Sequence, residues 1–241
     1  MNAAAGYRLE TDSWLSGILS RPAFIVAAGG SGASLVDLDK SKGHFATAKV
    51  PAAEVEAVQA LEGLGFRTVD LALTFDAEQL NAAAGRAGVR FAEPRDRDAV
   101  VGIAGSAFRF SRFHLDPKLP KPLAHKVKAE WAANWFNGKR GDGMVVAEEG
   151  GAVVGFVQLR WAQERRLMID LIAVHSRHER KGHARAMIGF AALKGTGAGQ
   201  APRGMVVGTQ AANVGSIRLY ESLGFRLRDS KFVLHHHGPA A

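Results

Sequence analysis

A chain of 241 residues that is 47% hydrophobic and 22% charged is long and apolar enough to bury a sizeable core, which excludes a disordered protein. It has no Cys, so disulfides, thiolate metal sites and cysteine nucleophiles are excluded, and no apolar run approaches the length of a membrane helix. The N-terminal stretch lacks the basic and apolar regions of a leader, so a cytoplasmic protein is expected, and 31 Lys and Arg against 23 Asp and Glu favour an anionic partner.

The segment 29–43, with its GGSGAS run, reads as a loop, and residues 45–50 read as a strand. Pro51 suits a helix start, and Ala57, Ala60, Leu61 and Leu64 predict an apolar stripe on a helix over 52–64 that Gly65 ends. Residues 66–75 alternate as a strand, and the Ala/Gly-rich stretch 76–90 reads as a link between a first unit, 1–88, and a second, 89–241. The second unit opens with a strand near 90–92, a helix over 96–107 and a loop. Leu123, Val127, Trp131 and Trp135 then recur every four residues on a helix from Pro122 to Gly138. Strands follow at 144–149, 152–161 and 167–174, a helix over 182–194, a strand at 203–209, a helix over 213–223 and a last strand or pair across 225–236. This alternation predicts a mixed α/β fold, its central sheet flanked by helices. Residues 60–75 and 219–234 share a helix end, Leu-Gly-Phe-Arg and a strand, which reads as one half-fold repeated in degenerate form.

The strongest chemical signal is the strand LMIDLIAV running through the basic turn HSRHERKGHA into a helix. The amides of a first helical turn lack internal partners, so Arg180, Lys181, Gly182, His183 and Ala184 can bind a phosphate through backbone N–H groups; Gly182 permits close approach. The bland alternative is a solvated basic turn. Further on, Asn213 suits a helix cap, and Tyr220 lies two turns along that helix before Leu223-Gly224-Phe225.

Together these motifs resemble the acetyl-CoA-binding half of the GNAT superfamily of N-acetyltransferases, over about residues 90–241. The family's pyrophosphate loop, [Q/R]-x-x-G-x-[G/A], is matched from Glu179 to Ala184 except that Glu179 stands at its first position, where a side-chain contact is not expected. The family's N-x-x-[S/A]-x-x-x-Y-x-x-x-G-F pattern is met by Asn213, Ser216, Tyr220, Gly224 and Phe225. The resemblance implies acetyl-CoA as donor, pantetheine pairing along the backbone of Leu171, Ile172, Ala173 and Val174, contacts from Asn213 and Ser216, and protonation of the leaving thiolate by Tyr220. On the acceptor side, IAGSAFRFSRFHLDPKLP and the helix KAEWAANWFNGKRGD are similar to the dTDP-fucosamine acetyltransferase type of sugar-nucleotide N-acetyltransferase. Those enzymes also carry a degenerate GNAT-like N-terminal half.

Ser111, Arg112, Phe113, His114 and Asp116 form the candidate acceptor site: Arg112 suits a diphosphate, Phe113 a ring face, His114 and Asp116 hydroxyls. They could instead be structural, Arg112 pairing with Asp116 while Phe113 plugs the core. A general base is needed to free the acceptor amine. Asp170, four residues before Val174 and so expected on its face, is one candidate, unless it merely pairs with Arg160 or Arg166; His114 is the other. Glu148 and Glu149 read as an exposed hairpin end. No metal is expected, because His235, His236 and His237 are consecutive on a strand and cannot all converge. The acceptor expected is a nucleotide-linked amino sugar, with another small amine or a protein amine as rivals. Retention of Tyr220 argues against a non-catalytic nucleic-acid-binding module, and a homodimer is compatible with all of this.

Overall fold

The computed structural model describes residues 6–29, 33–35, 38, 43–80, 88–197 and 201–239. In chain order the elements are β1 (Tyr7–Thr11), α1 (Ser13–Leu19), β2 (Ala23–Ala28), β3 (Ala33–Ser34), β4 (Phe45–Pro51), α2 (Val55–Gly63), β5 (Arg67–Ala77), β6 (Val89–Phe91), α3 (Arg97–Ala107), α4 (Arg112–Leu115), α5 (Lys121–Phe136), β7 (Gly143–Glu149), β8 (Ala152–Trp161), β9 (Arg166–Val174), α6 (His183–Lys194), β10 (Gly204–Gln210), α7 (Val214–Ser222) and β11 (Arg226–His237). The expected elements from Phe45 onward are present. Four short ones near the N-terminus, β1, α1, β2 and β3, are additional, β3 falling within the stretch 29–43 expected as a loop: α1 is held by its cap, where Asp12 Oδ1 accepts from the Leu15 amide at 2.8 Å, and not by a long apolar stripe. The acceptor loop contains the single turn α4, and the last segment is one strand. No described helix is long and apolar enough to cross a membrane.

Among the described residues, one mixed sheet carries all eleven strands in the order β3-β1-β2-β4-β11-β5-β10-β9-β8-β7-β6. Its centre has a local two-fold character. β10, α7 and β11 each begin 159 positions after β4, α2 and β5, as the pairs Phe45 and Gly204, Val55 and Val214, and Arg67 and Arg226 show. Gly65 and Gly224 end the two helices with nearly the same positive φ, 90° and 91°, a conformation that costs Gly no Cβ clash. β11 inserts between β4 and β5, and β5 between β11 and β10, so each half lends its last strand to the other. The antiparallel β5–β11 ladder runs from Arg226 opposite Asp76 to His235 opposite Arg67, and its two register shifts fall at the equivalent residues Arg228 and Val69. The stretch 76–90 therefore begins within β5, which ends at Ala77, while residues 81–87 lie outside those described.

The halves differ where chemistry would be expected. Leu61, Ala57 and Glu54 stand in α2 and its cap where Tyr220, Ser216 and Asn213 stand in α7. Among the described residues no α-helix corresponds to α6 between β2 and β4. The second half also buries the two apolar layers that hold the site: α6 and α7 cover one sheet face over Leu167, Ile169, Met187, Ile188 and Leu223, and α3 and α5 cover the other over Val146, Phe156 and Ala132.

Candidate active site

β9 and β10 begin as a parallel pair, Gly204 beside Arg166, and separate after Ile169 and Val207. Beyond that point β9 continues to Val174 bonded only to β8, and β10 continues to Gln210 bonded only to β5, so the facing edges of both strands open into a cleft. The cause is local. Gln158 opposes Leu171 while Leu159 opposes Ile169, which leaves Asp170 as the extra residue of a β-bulge. A bulge bends its strand and interrupts the alternation of faces. Leu167, Ile169, Ile172 and Val174 consequently pack against the α6/α7 layer, and Leu171 and Ala173 against the α3/α5 layer.

A cavity of about 1000 Å³ fills the cleft and reaches both sheet faces. Its walls include the backbone of Leu171, Ile172, Ala173 and Val174, and Asn213, Ser216 and Tyr220 from the α7 side. At one end stands the turn into α6, where Arg180 and Gly182 hold positive φ of 63° and 86°. Gly182 is the N-cap of α6, so the amides of His183, Ala184 and Arg185 are the unpaired donors of its first turn, and Arg180, Gly182, His183 and Ala184 all border the cavity. Lys181 points elsewhere, its Nζ lying 2.7 Å from Glu149 Oε1. His178 Nδ1 and His183 Nε2 approach Glu149 Oε2 at 3.0 and 2.9 Å. Glu149 is thus the brace of the turn and not a free hairpin end; these hydrogen bonds, that from Lys181 first, lower its carboxyl to about 2. Glu179 does not brace the turn and is exposed.

Asn213 caps α7, its Oδ1 accepting from the Ser216 amide at 3.2 Å. Tyr220 is 2% exposed and packs between Phe75 and Phe225, with ring centroids at 6.3 and 5.7 Å. Burial pushes its phenol above the ordinary value, so it is held protonated.

Asp170 behaves differently from the expectation for a base sharing a face with Val174. The bulge turns it towards the α5 side, where its carboxylate accepts from Arg140 Nε and Nη2 at 2.7 and 2.6 Å, Trp131 Nε1 at 2.8 Å and Gln158 Nε2 at 3.2 Å, with Arg160 at 3.9 Å. Four hydrogen bonds therefore commit this carboxylate to the α5 side, where it positions Arg140, Trp131 and Gln158. Arg166, the other partner considered, pairs with Asp76 instead.

Of the candidate acceptor residues, Ser111 borders the cavity, and its Oγ lies 2.6 Å from His114 Nδ1. Arg112, Phe113, His114 and Asp116 do not line it. Arg112 turns to β4, donating to Thr47 Oγ1 at 2.8 Å with its guanidinium 4.6 Å from the Phe113 ring centre. Phe113 is core, 1% exposed. His114 meets His125 edge-on, with ring centroids 4.8 Å apart, and burial lowers it to about 4. Asp116 binds His235 Nδ1 at 2.6 Å and His237 Nε2 at 2.8 Å, not Arg112. His235 and His237 share one strand face and meet at Asp116 while His236 turns the other way to His44, so two of the three histidines do converge. The basic lining of the cavity comes from residues that the motifs did not single out: Lys49, Arg109, Lys128, Arg140, Arg160 and Arg218.

A bulged strand, a splayed parallel pair and an amide-rich turn at a helix N-terminus thus meet around one cleft. Residues 110–225 match the sequence model of the acetyltransferase (GNAT) family. Over 143 residues the chain is 34% identical to the spore coat polysaccharide biosynthesis protein SpsD of Bacillus subtilis, a match that covers 59% of this chain. The chain matches about half, 48%, of the length of that relative. A GCN5-related N-acetyltransferase from Sphaerobacter thermophilus shares the fold, with a TM-score of 0.58 and 13% identity over 92% of this chain and 75% of that one. So does a tandem GNAT protein from the clavulanic acid biosynthesis pathway, with a TM-score of 0.55 and 11% identity over 92% and 77%.

Proposed function

We propose that this protein is an acetyl-CoA-dependent N-acetyltransferase whose acceptor is the amino group of a nucleotide-linked sugar. The observation that carries the reading is the cleft itself: the Gly182 turn, the free edge of Leu171 to Val174 and the buried Tyr220 border one cavity. These residues fit acetyl-CoA. The first-turn amides and the left-handed Gly182 suit a diphosphate, the unpaired edge of β9 suits the amides of a pantetheine arm, and Asn213 and Ser216 stand beside it. Acetyl-CoA supplies an activated acetyl thioester when bound. Tyr220, protonated, buried and hydrogen-bonded with Ser216, is the group that gives a proton to the departing sulfur.

The basic wall supports an anionic acceptor, with Arg112 giving up the anchoring role to residues such as Arg109, Arg140 and Arg160. The name of the B. subtilis relative, a polysaccharide biosynthesis protein, supports a sugar. On the same reading residues 1–88 are a degenerate copy of the domain formed by 89–241, which the 159-residue spacing of β4-α2-β5 and β10-α7-β11 supports. The test is steady-state kinetics with acetyl-CoA and a dTDP- or UDP-linked 4-amino-4,6-dideoxy sugar against the same sugar without its nucleotide. Preference for the linked form upholds the assignment. Equal efficiency on the free sugar transfers the assignment to a small-molecule or protein amine.

A further inference from the structure

We infer that Lys128 is the catalytic base that removes a proton from the acceptor amine. The inference rests on the acetyltransferase reading above, and begins from a vacancy in it: with Asp170 saturated by donors and His114 off the cavity, neither candidate base is available.

Lys128 lies on α5 and borders the cavity although the residue is only 8% exposed. Among the described residues its Nζ has no hydrogen-bond partner and no carboxylate within ion-pair reach. It sits instead against two aromatic rings, 4.8 Å from the centre of Phe108 and 4.6 Å from that of Trp131. A buried amine without a hydrogen-bonding partner is costly unless a ligand meets it. Trp131, one turn along α5, donates to Asp170 at the bulge of β9, so the same helix face that carries Lys128 is pinned to the strand where the cleft opens.

The charged neighbours are unbalanced. Arg112 of α4, Lys49 of β4 and Arg140 beyond α5 disfavour a positive Nζ, and Asp170 of β9 favours one but is shared with Arg140. His114 of α4 lies in the same electrostatic surroundings. Burial first, and then the neighbouring cations, lower Lys128 from its ordinary 10.5 to about 7, so the free amine is well populated near neutral pH. A base is most effective when its pKa lies close to the working pH.

An N–H bond of the acceptor ammonium breaks, and its proton passes to the lone pair of Lys128 Nζ. The freed amine forms the N–C bond to the thioester carbonyl carbon, the C–S bond breaks, and the thiolate takes the proton of Tyr220. The excess proton left on the new amide nitrogen replaces the one Tyr220 gave, and Lys128 returns its own to solvent.

Two measurements test this. In the first, kcat/KM is followed against pH for wild type, Lys128→Gln, Lys128→Arg and Lys128→Ala, with acetyl-CoA affinity as the check on folding. Lys128→Gln should lose about 10²–10⁴-fold near neutral pH and recover as the pH rises towards the pKa of the acceptor amine, Lys128→Arg should be equally poor, and small primary amines should rescue Lys128→Ala. Activity restored by Lys128→Arg, or an unchanged pH profile with only KM raised in Lys128→Gln, would overturn the inference, because Lys128 would then be a cationic anchor. The second needs no acceptor: carbon-13 NMR of lysine-labelled protein should show one resonance titrating near 7 that is absent in Lys128→Gln, and titration above 10 overturns the inference. A wild type inactive on every nucleotide-linked amine, with that resonance present, counts against the acceptor assignment and leaves Lys128 as the base for another amine.

Discussion

Asp170 and Arg140 meet side-on at the floor of the cavity, with Arg140 Nε 2.7 Å from one carboxylate oxygen and Nη2 2.6 Å from the other. The pair is asymmetric, Asp170 being 4% exposed and Arg140 34%, so removing the carboxylate leaves a guanidinium that water can still reach. Asp170→Asn should therefore cost about 1–3 kcal/mol of stability and keep the wild-type pH dependence of kcat/KM. Denaturant melts together with a pH-rate profile check this; loss of the ascending limb in the variant would restore Asp170 as the base.

Gly182 stands at φ 86° where α6 begins. Val there is β-branched in a left-handed conformation and also brings a side chain towards the first-turn amides. Gly182→Val should weaken acetyl-CoA binding by more than about tenfold, since each 1.4 kcal/mol of lost contact is a factor of ten. Titration calorimetry reads this, and unchanged affinity would remove the turn from the cofactor site.

Tyr220→Phe retains the packing against Phe75 and Phe225 and deletes only the hydroxyl. Turnover should fall about 10²–10⁴-fold while acetyl-CoA affinity barely changes. A purely structural Tyr would give the opposite outcome, a lower melting temperature at normal turnover.

Arg112 bonds Thr47 and lies over Phe113, away from the cavity. Arg112→Lys should lower stability by about 1 kcal/mol and leave KM for a sugar nucleotide close to wild type. A large rise in KM for the nucleotide-linked form alone would return Arg112 to the acceptor site.

The Asp116, His235 and His237 cluster predicts acid lability. His235 is 2% exposed, and burial lowers it to about 4 against an ordinary 6.5, so its neutral form is the native one. Its contribution is complete above about pH 6.5 and is lost as pH falls towards 4, because the unfolded chain binds the proton more readily. Although burial alone would raise it, Asp116 is held below the usual carboxylate range by its bonds from His235 and His237, so its contribution is present above its unfolded pKa and disappears in stronger acid. Both effects have the same sign. The melting temperature should fall steadily from about pH 6.5 to pH 4, and less steeply in His235→Phe, where the titrating imidazole is absent.

The local code of the second half is legible in its residues because its chemistry is short-range. Leu-Gly-Phe-Arg written twice records two helix ends with a left-handed Gly at Gly65 and Gly224, the Asn213 cap announces α7, and Gly182 after a basic turn announces the amide cradle of α6. Local periodicity likewise carries α5 and the strands β7 to β10. Tertiary structure decided the rest. That β5 and β11 exchange places between the halves is a long-range pairing, invisible to any window of sequence. That Asp170 faces Arg140 and not the side of Val174 follows from one extra residue in the β9 ladder, which resets every side chain beyond it. The acceptor loop illustrates the same limit: Arg112, Phe113 and Asp116 are chemically suited to a sugar nucleotide, but α4 packs them against Thr47, the core and His235. Lys128 looks in sequence like any polar residue on a surface helix, and becomes distinctive only because Phe108, Trp131 and three neighbouring cations enclose it.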